Sequence, residues 1–80
     1  MNIKSVESTT LVAVGYDETR EILQLEFRSH AVYRYFGVPG SAYEALMAAS
    51  SKGSYFNRTI RGYFPHALIW GTSSGQGGEA

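Results

Sequence analysis

Eighty residues with seven basic side chains, seven acidic ones and no cysteine make one small domain of zero formal charge. The missing cysteines exclude disulfides and thiolate metal sites and point to a reducing compartment. Zero net charge argues against a coat for long nucleic acid, which needs a strong positive field.

The stretch Met1 to Ser5 lacks the apolar run of a signal peptide. No stretch approaches the ~18 apolar residues of a membrane span, so a cytoplasmic protein without membrane contact is expected. Residues 10 to 16, Thr-Leu-Val-Ala-Val-Gly-Tyr, are β-branched and apolar and read as a strand. Asp17-Glu18-Thr19-Arg20 reads as a hairpin loop. Residues 21 to 28 alternate, with Leu23, Leu25 and Phe27 on one face and Gln24, Glu26 and Arg28 on the other. This pattern is that of a half-buried antiparallel strand. Ser29-His30 is the next turn, and residues 31 to 36 form a third strand that ends at Gly37 and Pro39-Gly40.

The period then becomes helical. Ser41 and Glu44 have the spacing of a capping box, followed by Ala42, Ala45, Leu46 and Met47. Ser50, Ser51 and Gly53 stop this helix. Ser54 is placed to cap a second one, with Phe56 and Ile60 toward the core and Gly62 and Pro65 at its end. Ala67-Leu68-Ile69-Trp70 is too short for a helix and reads as an added edge strand or a sticky segment. Residues 71 to 80 contain four glycines and read as a disordered tail. The predicted fold is α+β: a three-stranded antiparallel β-meander followed by two α-helices packed on one face.

Two groups of residues are candidates for chemistry. Tyr33 and Tyr35 point the same way from the third strand, with Arg34 opposite. They read either as a platform for stacked bases or, with more weight, as core residues under the helices. Ser54, Asn57, Arg58 and Arg61 share a face of the second helix. Two guanidinium groups beside an amide and a hydroxyl suit phosphate oxygens. The competing reading is a solvated basic face with weak surface pairs to Glu44 or Glu26.

Charge placement favours a compact anion. Residues 1 to 30 hold three basic and five acidic side chains, whereas residues 31 to 70 hold four basic and one acidic. Catalysis has little support, and no enzyme is expected. His30 and His66 lack metal-spaced partners, and no phosphate loop or nucleophile elbow appears. Glu18 and Glu21 sit together in a hairpin loop and read as solvated. No cofactor and no metal are expected.

Several blocks in order carry a family resemblance. Tyr33-Arg34-Tyr35-Phe36-Gly37-Val38-Pro39, Tyr43-Glu44-Ala45-Leu46 and Lys52 through Arg61 resemble the KTSC domain. Val14-Gly15-Tyr16-Asp17 and Phe27-Arg28-Ser29 are similar to its hairpin. That family is named for its place at the C-terminus of some lysyl-tRNA synthetases and also occurs as stand-alone bacterial or phage proteins. The resemblance covers about residues 8 to 66, so residues 1 to 66 are expected to form the KTSC-like domain, 67 to 70 an apolar extension and 71 to 80 the tail. It implies RNA binding. Together these readings predict a non-catalytic module for a phosphate-bearing nucleotide. The ligand is a short RNA or tRNA element or a small nucleotide, such as a cyclic signalling nucleotide sequestered by a phage-type protein. Arg58 and Arg61 would meet phosphates, Asn57 and Ser54 would assist, and Tyr33, Tyr35 or Tyr55 would stack on a base. The alternative is an interaction module, homo-oligomeric through Leu68, Ile69 and Trp70, with no nucleotide ligand.

Overall fold

The structure, a computed structural model, describes residues 1–71, so the predicted tail lies outside the described residues from residue 72 onward. The elements in chain order are β1 (Asn2–Ser5), β2 (Leu11–Asp17), β3 (Ile22–Phe27), β4 (Val32–Phe36), α1 (Gly40–Ala48), α2 (Lys52–Thr59) and β5 (His66–Trp70). All five strands form one antiparallel sheet in the order β1-β2-β3-β4-β5.

The α+β class and the helices on one face hold, but the sheet has five strands instead of three. β1 has a single apolar residue among four and is wholly exposed, so it carries no alternation to read. Its stability comes from ladder pairing with β2, from Asn2 opposite Tyr16 to Ser5 opposite Ala13. β5 carries an unbroken apolar run that fits several structures. It becomes a strand because Gly62, at φ +82°, and Pro65 return the chain along the free edge of β4. There the Phe36 N–H donates to the Pro65 carbonyl.

Directly paired residues project to the same side. Val14, Leu25, Tyr33 and Leu68 form one row of the helix-covered face, and Tyr16, Leu23, Tyr35 and His66 the next. Leu11 and Val14 are three apart, so a regular strand would point them to opposite faces. The register shift between Leu11 and Ala13 turns both inward. The core closes with Leu46 from α1 and Phe56 and Ile60 from α2. Phe56 lies edge-on to Phe27 at 5.4 Å and to Tyr35 at 5.5 Å, between ring centroids.

Both predicted helix starts move. α1 begins at Gly40 with Pro39 in the cap position and no side-chain cap, so Ser41 lies inside the first turn. α2 begins at Lys52, and its cap is Ser51, whose Oγ accepts from the Ser54 N–H at 3.4 Å. Gly53 therefore sits inside a helix instead of ending one. A Cβ there would collide with Thr10 Oγ1, so the missing side chain lets α2 press against the start of β2.

Candidate functional site

That close approach builds a concave feature of the surface. An open cleft of ≈ 560 Å³ separates the β1–β2 loop from the N-terminal end of α2. Its walls are Val6, Glu7, Ser8 and Thr9 on one side and Ser50, Ser51 and Lys52 on the other, with Arg28 alongside.

The loop is a local hydrogen-bonded turn. Ser8 Oγ accepts from the N–H groups of Thr10 at 3.0 Å and Leu11 at 3.1 Å. Arg28 follows β3 and is tied to the same loop twice. Its backbone N–H donates to the Thr10 carbonyl, and its Nε donates to the Ser8 carbonyl at 2.8 Å. Lys52 Nζ donates to the Ala49 carbonyl at 3.1 Å. Both cations are thus held in place by neutral backbone oxygens. Among the described residues neither forms an ion pair. Neither is neutralised by direct pairing, and with Glu7 on the same walls the cleft carries two positive charges against one negative, which leaves a net attraction for an external anion. Ser51 also caps the Ser54 N–H, which leaves the Lys52 and Gly53 N–H groups at the open end of the helix.

The predicted site lies further along α2. Ser54, Asn57, Arg58 and Arg61 do share its exposed outer face. Arg61 Nη1 donates to Asn57 Oδ1 at 3.3 Å. Arg58 makes no hydrogen bond or ion pair among the described residues. None of these four side chains lines the cleft.

The tyrosines take the core reading. Tyr33 is 4% exposed and Tyr35 1%, with rings packed among Phe27, Phe56 and His66. Their faces are covered, so the expectation that they stack on a base is corrected. Tyr55 is half-buried and packs against the core. The Tyr35 hydroxyl is pushed up to about 12, first by burial and then by neighbouring Tyr33, with the Arg61 guanidinium pulling it down. Tyr16 is raised by burial and by Glu21, Glu18 and Asp17, and its hydroxyl donates to the Val38 carbonyl at 2.6 Å.

Arg28, Lys52 and the hydroxyls around them are missing from the sequence reading. The alternation places Arg28 on the outer face of a strand, Lys52 carries no site role in the sequence pattern, and no spacing rule connects them. Gly53 was the available signal, read as a breaker when it marks a close approach. No group of three His, Cys, Asp or Glu side chains among the described residues could hold a metal ion. No helix among them is long and apolar enough to cross a membrane.

Residues 7–64 match the KTSC domain, nearly three quarters of the chain. The chain belongs to the KTSC domain family. Its fold is similar to the crystal structure of a KTSC domain protein from Yersinia pestis, with a TM-score of 0.84 and 35% identity. That match covers 86% of this chain and 97% of the other. A protein of Stutzerimonas stutzeri is 40% identical over 57 residues, 71% of this chain and 80% of its own length. A lysine–tRNA ligase of Nostoc is 42% identical over 63 residues, which are 79% of this chain but 11% of the ligase. The KTSC domain therefore makes up most of one relative and about a tenth of another. Every wall residue of the cleft except Val6 falls within the matched span.

Proposed function

We propose that this KTSC domain is a non-catalytic module that binds a phosphate-bearing nucleotide ligand, with a short RNA segment as the leading case. The observation that carries this reading is the pairing of Arg28 and Lys52 across a concave cleft, each oriented by a backbone carbonyl and neither paired with a carboxylate. A cleft of ≈ 560 Å³ falls within the roughly 300–1,000 Å³ of small-ligand sites. It is large enough for one nucleotide and too small for a folded RNA, which would extend from it along α2. The outer face of α2 continues the basic surface through Ser54, Arg58 and Arg61. The acidic side chains Asp17, Glu18 and Glu21 sit at the β2–β3 turn, so the molecule is polarised and steers an anion toward α2.

The choice of RNA over a small nucleotide rests on the relatives. A lysine–tRNA ligase acts on tRNA by name, and it contains this domain as a small part. A domain that adds phosphate contacts would serve such an enzyme without contributing chemistry. Fluorescence anisotropy with labelled tRNA, a short single-stranded RNA and cyclic dinucleotides tests the reading. The expected result is salt-sensitive binding of RNA, with a slope of about −1.4 if two phosphates meet the two cleft cations. Arg28→Ala and Lys52→Ala each remove about 1.5–3 kcal/mol of binding if a charge-assisted bond to phosphate is lost. Tight cyclic dinucleotide binding without RNA binding would make the ligand a small nucleotide. Absence of binding to any of these at low salt would end the proposal.

A second reading, an interaction module without a nucleotide ligand, is favoured by one observation. Leu68, Ile69 and Trp70 remain 40, 47 and 66% exposed in β5.

A further inference from the structure

The helices cover one face of the sheet, and the other face is open. Four large apolar side chains lie exposed on it: Met1 at 49%, Ile3 at 49%, Phe36 at 36% and Trp70 at 66%. Register places Ile3 opposite Gly15, Phe36 opposite Ile22 and Trp70 opposite Val32, all on the side away from the helices. Gly15 has a specific part in this. A Cβ there would collide with Ile3 and lie 2.9 Å from Met1 Sδ, so both side chains rest flat across the glycine. Of the three exposed large apolar residues of β5, Trp70 belongs to this face, whereas Leu68 pairs with Tyr33 on the other.

Two charged side chains stand near the middle of the open face, and they have opposite signs. Glu26 is opposite Val32, and Arg34 is opposite Gln24, so the two are diagonal neighbours on adjacent strands. Both are half-buried. Arg34 Nε donates to the neutral Gln24 Oε1 at 2.8 Å, and among the described residues Arg34 and Glu26 form no ion pair. Asp17, at the margin, already accepts from the Thr19 and Arg20 N–H groups.

We propose that this face is a self-association surface, and that two copies of the chain pack sheet against sheet about a two-fold axis. An axis lying between the sheets and passing midway between Glu26 and Arg34 sets each carboxylate over the other copy's guanidinium. One diagonal pair of opposite charges thus makes two reciprocal contacts, the self-complementarity that a two-fold interface requires. The apolar side chains around them supply the buried area. Five strands about 4.8 Å apart, at about 3.3 Å per residue, give a face roughly 20 Å on a side. Two such faces come to about 800 Å² before side-chain relief, below the ~1,200 Å² at which stable specific interfaces begin. The expected dimer is therefore reversible and not obligate. α2 and the cleft lie on the far side of the sheet, so association leaves them exposed.

Sedimentation velocity on the full chain from micromolar to millimolar concentration tests this, with circular dichroism as the check of folding. The wild-type chain is expected to dimerise within that range. Arg34→Glu and Glu26→Arg each place like charges face to face and should raise the dimer dissociation constant about tenfold or more. The exchanged double variant, Glu26→Arg with Arg34→Glu, restores the reciprocal pairs and should return the constant toward the wild-type value. Trp70→Ser should weaken the dimer without changing the helical signal. A wild-type chain that stays monomeric at millimolar concentration overturns the proposal. So does a dimer indifferent to both charge reversals, which would be built on another surface such as the β5 edge. A double variant no better than the worse single variant would also overturn it. RNA titration of the same variants should be unchanged, which separates this surface from the basic one.

Discussion

The two ends of α2 both carry positive charge and differ in what surrounds them. At the N-terminal end Lys52 meets Arg28 across a cleft, and both are fixed by backbone carbonyls. At the C-terminal end Arg58 and Arg61 stand exposed, outside the cleft. The difference comes from the neighbours. Gly53 brings the first turn against Thr10 and leaves the β1–β2 loop as an opposing wall, whereas the last turn runs out to solvent at Gly62. Cations on one helix become a site only where a second segment encloses them. Convergent polar groups in a concavity hold a ligand better than the same groups on a bulge.

Phe56 lies between the two ends and is expected to give the largest effect. It is 1% exposed and packs edge-on against Phe27 and Tyr35. Phe56→Ala should destabilise the domain by about 3–5 kcal/mol in urea unfolding, through lost transfer energy and the cavity left behind. A loss below about 1 kcal/mol would mean that α2 is not anchored through its centre, and neither end could then be called preorganised.

How much of this contrast could be read from the sequence depends on how far apart the partners lie along the chain. The alternation of Leu23, Leu25 and Phe27 and the helical spacing of Asn57, Arg58 and Arg61 are local, and the structure keeps both. The burial of Tyr33 and Tyr35 followed from Arg34, because a charged residue on one side of a strand commits its neighbours to the other. β1 was not legible, because Asn-Ile-Lys-Ser has no pattern and only pairing makes it a strand. The cleft was not legible either. Arg28 and Lys52 come together through the Arg28 bonds to the Thr10 and Ser8 carbonyls and the contact of Gly53 with Thr10, all tertiary.

Alkaline pH acts on the C-terminal end, where Arg61 lies close to Tyr35. The folded chain holds the Tyr35 proton up to about pH 12, while an unfolded tyrosine releases it near its ordinary value of 10.0. Below pH 10 both states are protonated, and the contribution of this group to stability is complete. Between about 10 and 12 the unfolded state binds fewer protons, so stability falls by up to about 1.4 kcal/mol per pH unit and about 2–3 kcal/mol in all. Tyr35→Phe should flatten most of that slope in urea unfolding across the pH series. A shallower slope in the same direction should remain from Tyr16. Arg61→Ala removes the charge that lowers Tyr35, so tyrosinate absorbance should move further up. No change there would detach Arg61 from the core beneath it.

Gly53→Ala tests the N-terminal end. Alanine favours a helix interior by about 0.8–1.0 kcal/mol over glycine. Its Cβ would collide with Thr10 Oγ1 and sit 3.0 Å from Thr10 Cβ, and overpacking of that kind costs about 1–3 kcal/mol. The net expectation is a loss of about 1 kcal/mol, partly recovered by adding Thr10→Ala. Stabilisation by the single change would show that α2 and β2 are not in close contact and that the cleft lacks its fixed wall.

Arg58→Ala should give the smallest effect and sharpens the contrast most directly. Its guanidinium is exposed and makes no hydrogen bond or ion pair among the described residues, so folding stability should change by no more than about 0.5 kcal/mol. If ligand is held in the cleft and only passes along the rest of α2, Arg58 meets a phosphate in solvent, where attraction is screened. RNA affinity should then fall by less than about 1 kcal/mol, below the loss from Arg28→Ala or Lys52→Ala, and the difference should vanish first as salt is raised. The reverse order, with Arg58 costing more than either cleft cation, would transfer the site to the C-terminal end and make the cleft a by-product of packing α2 against β2.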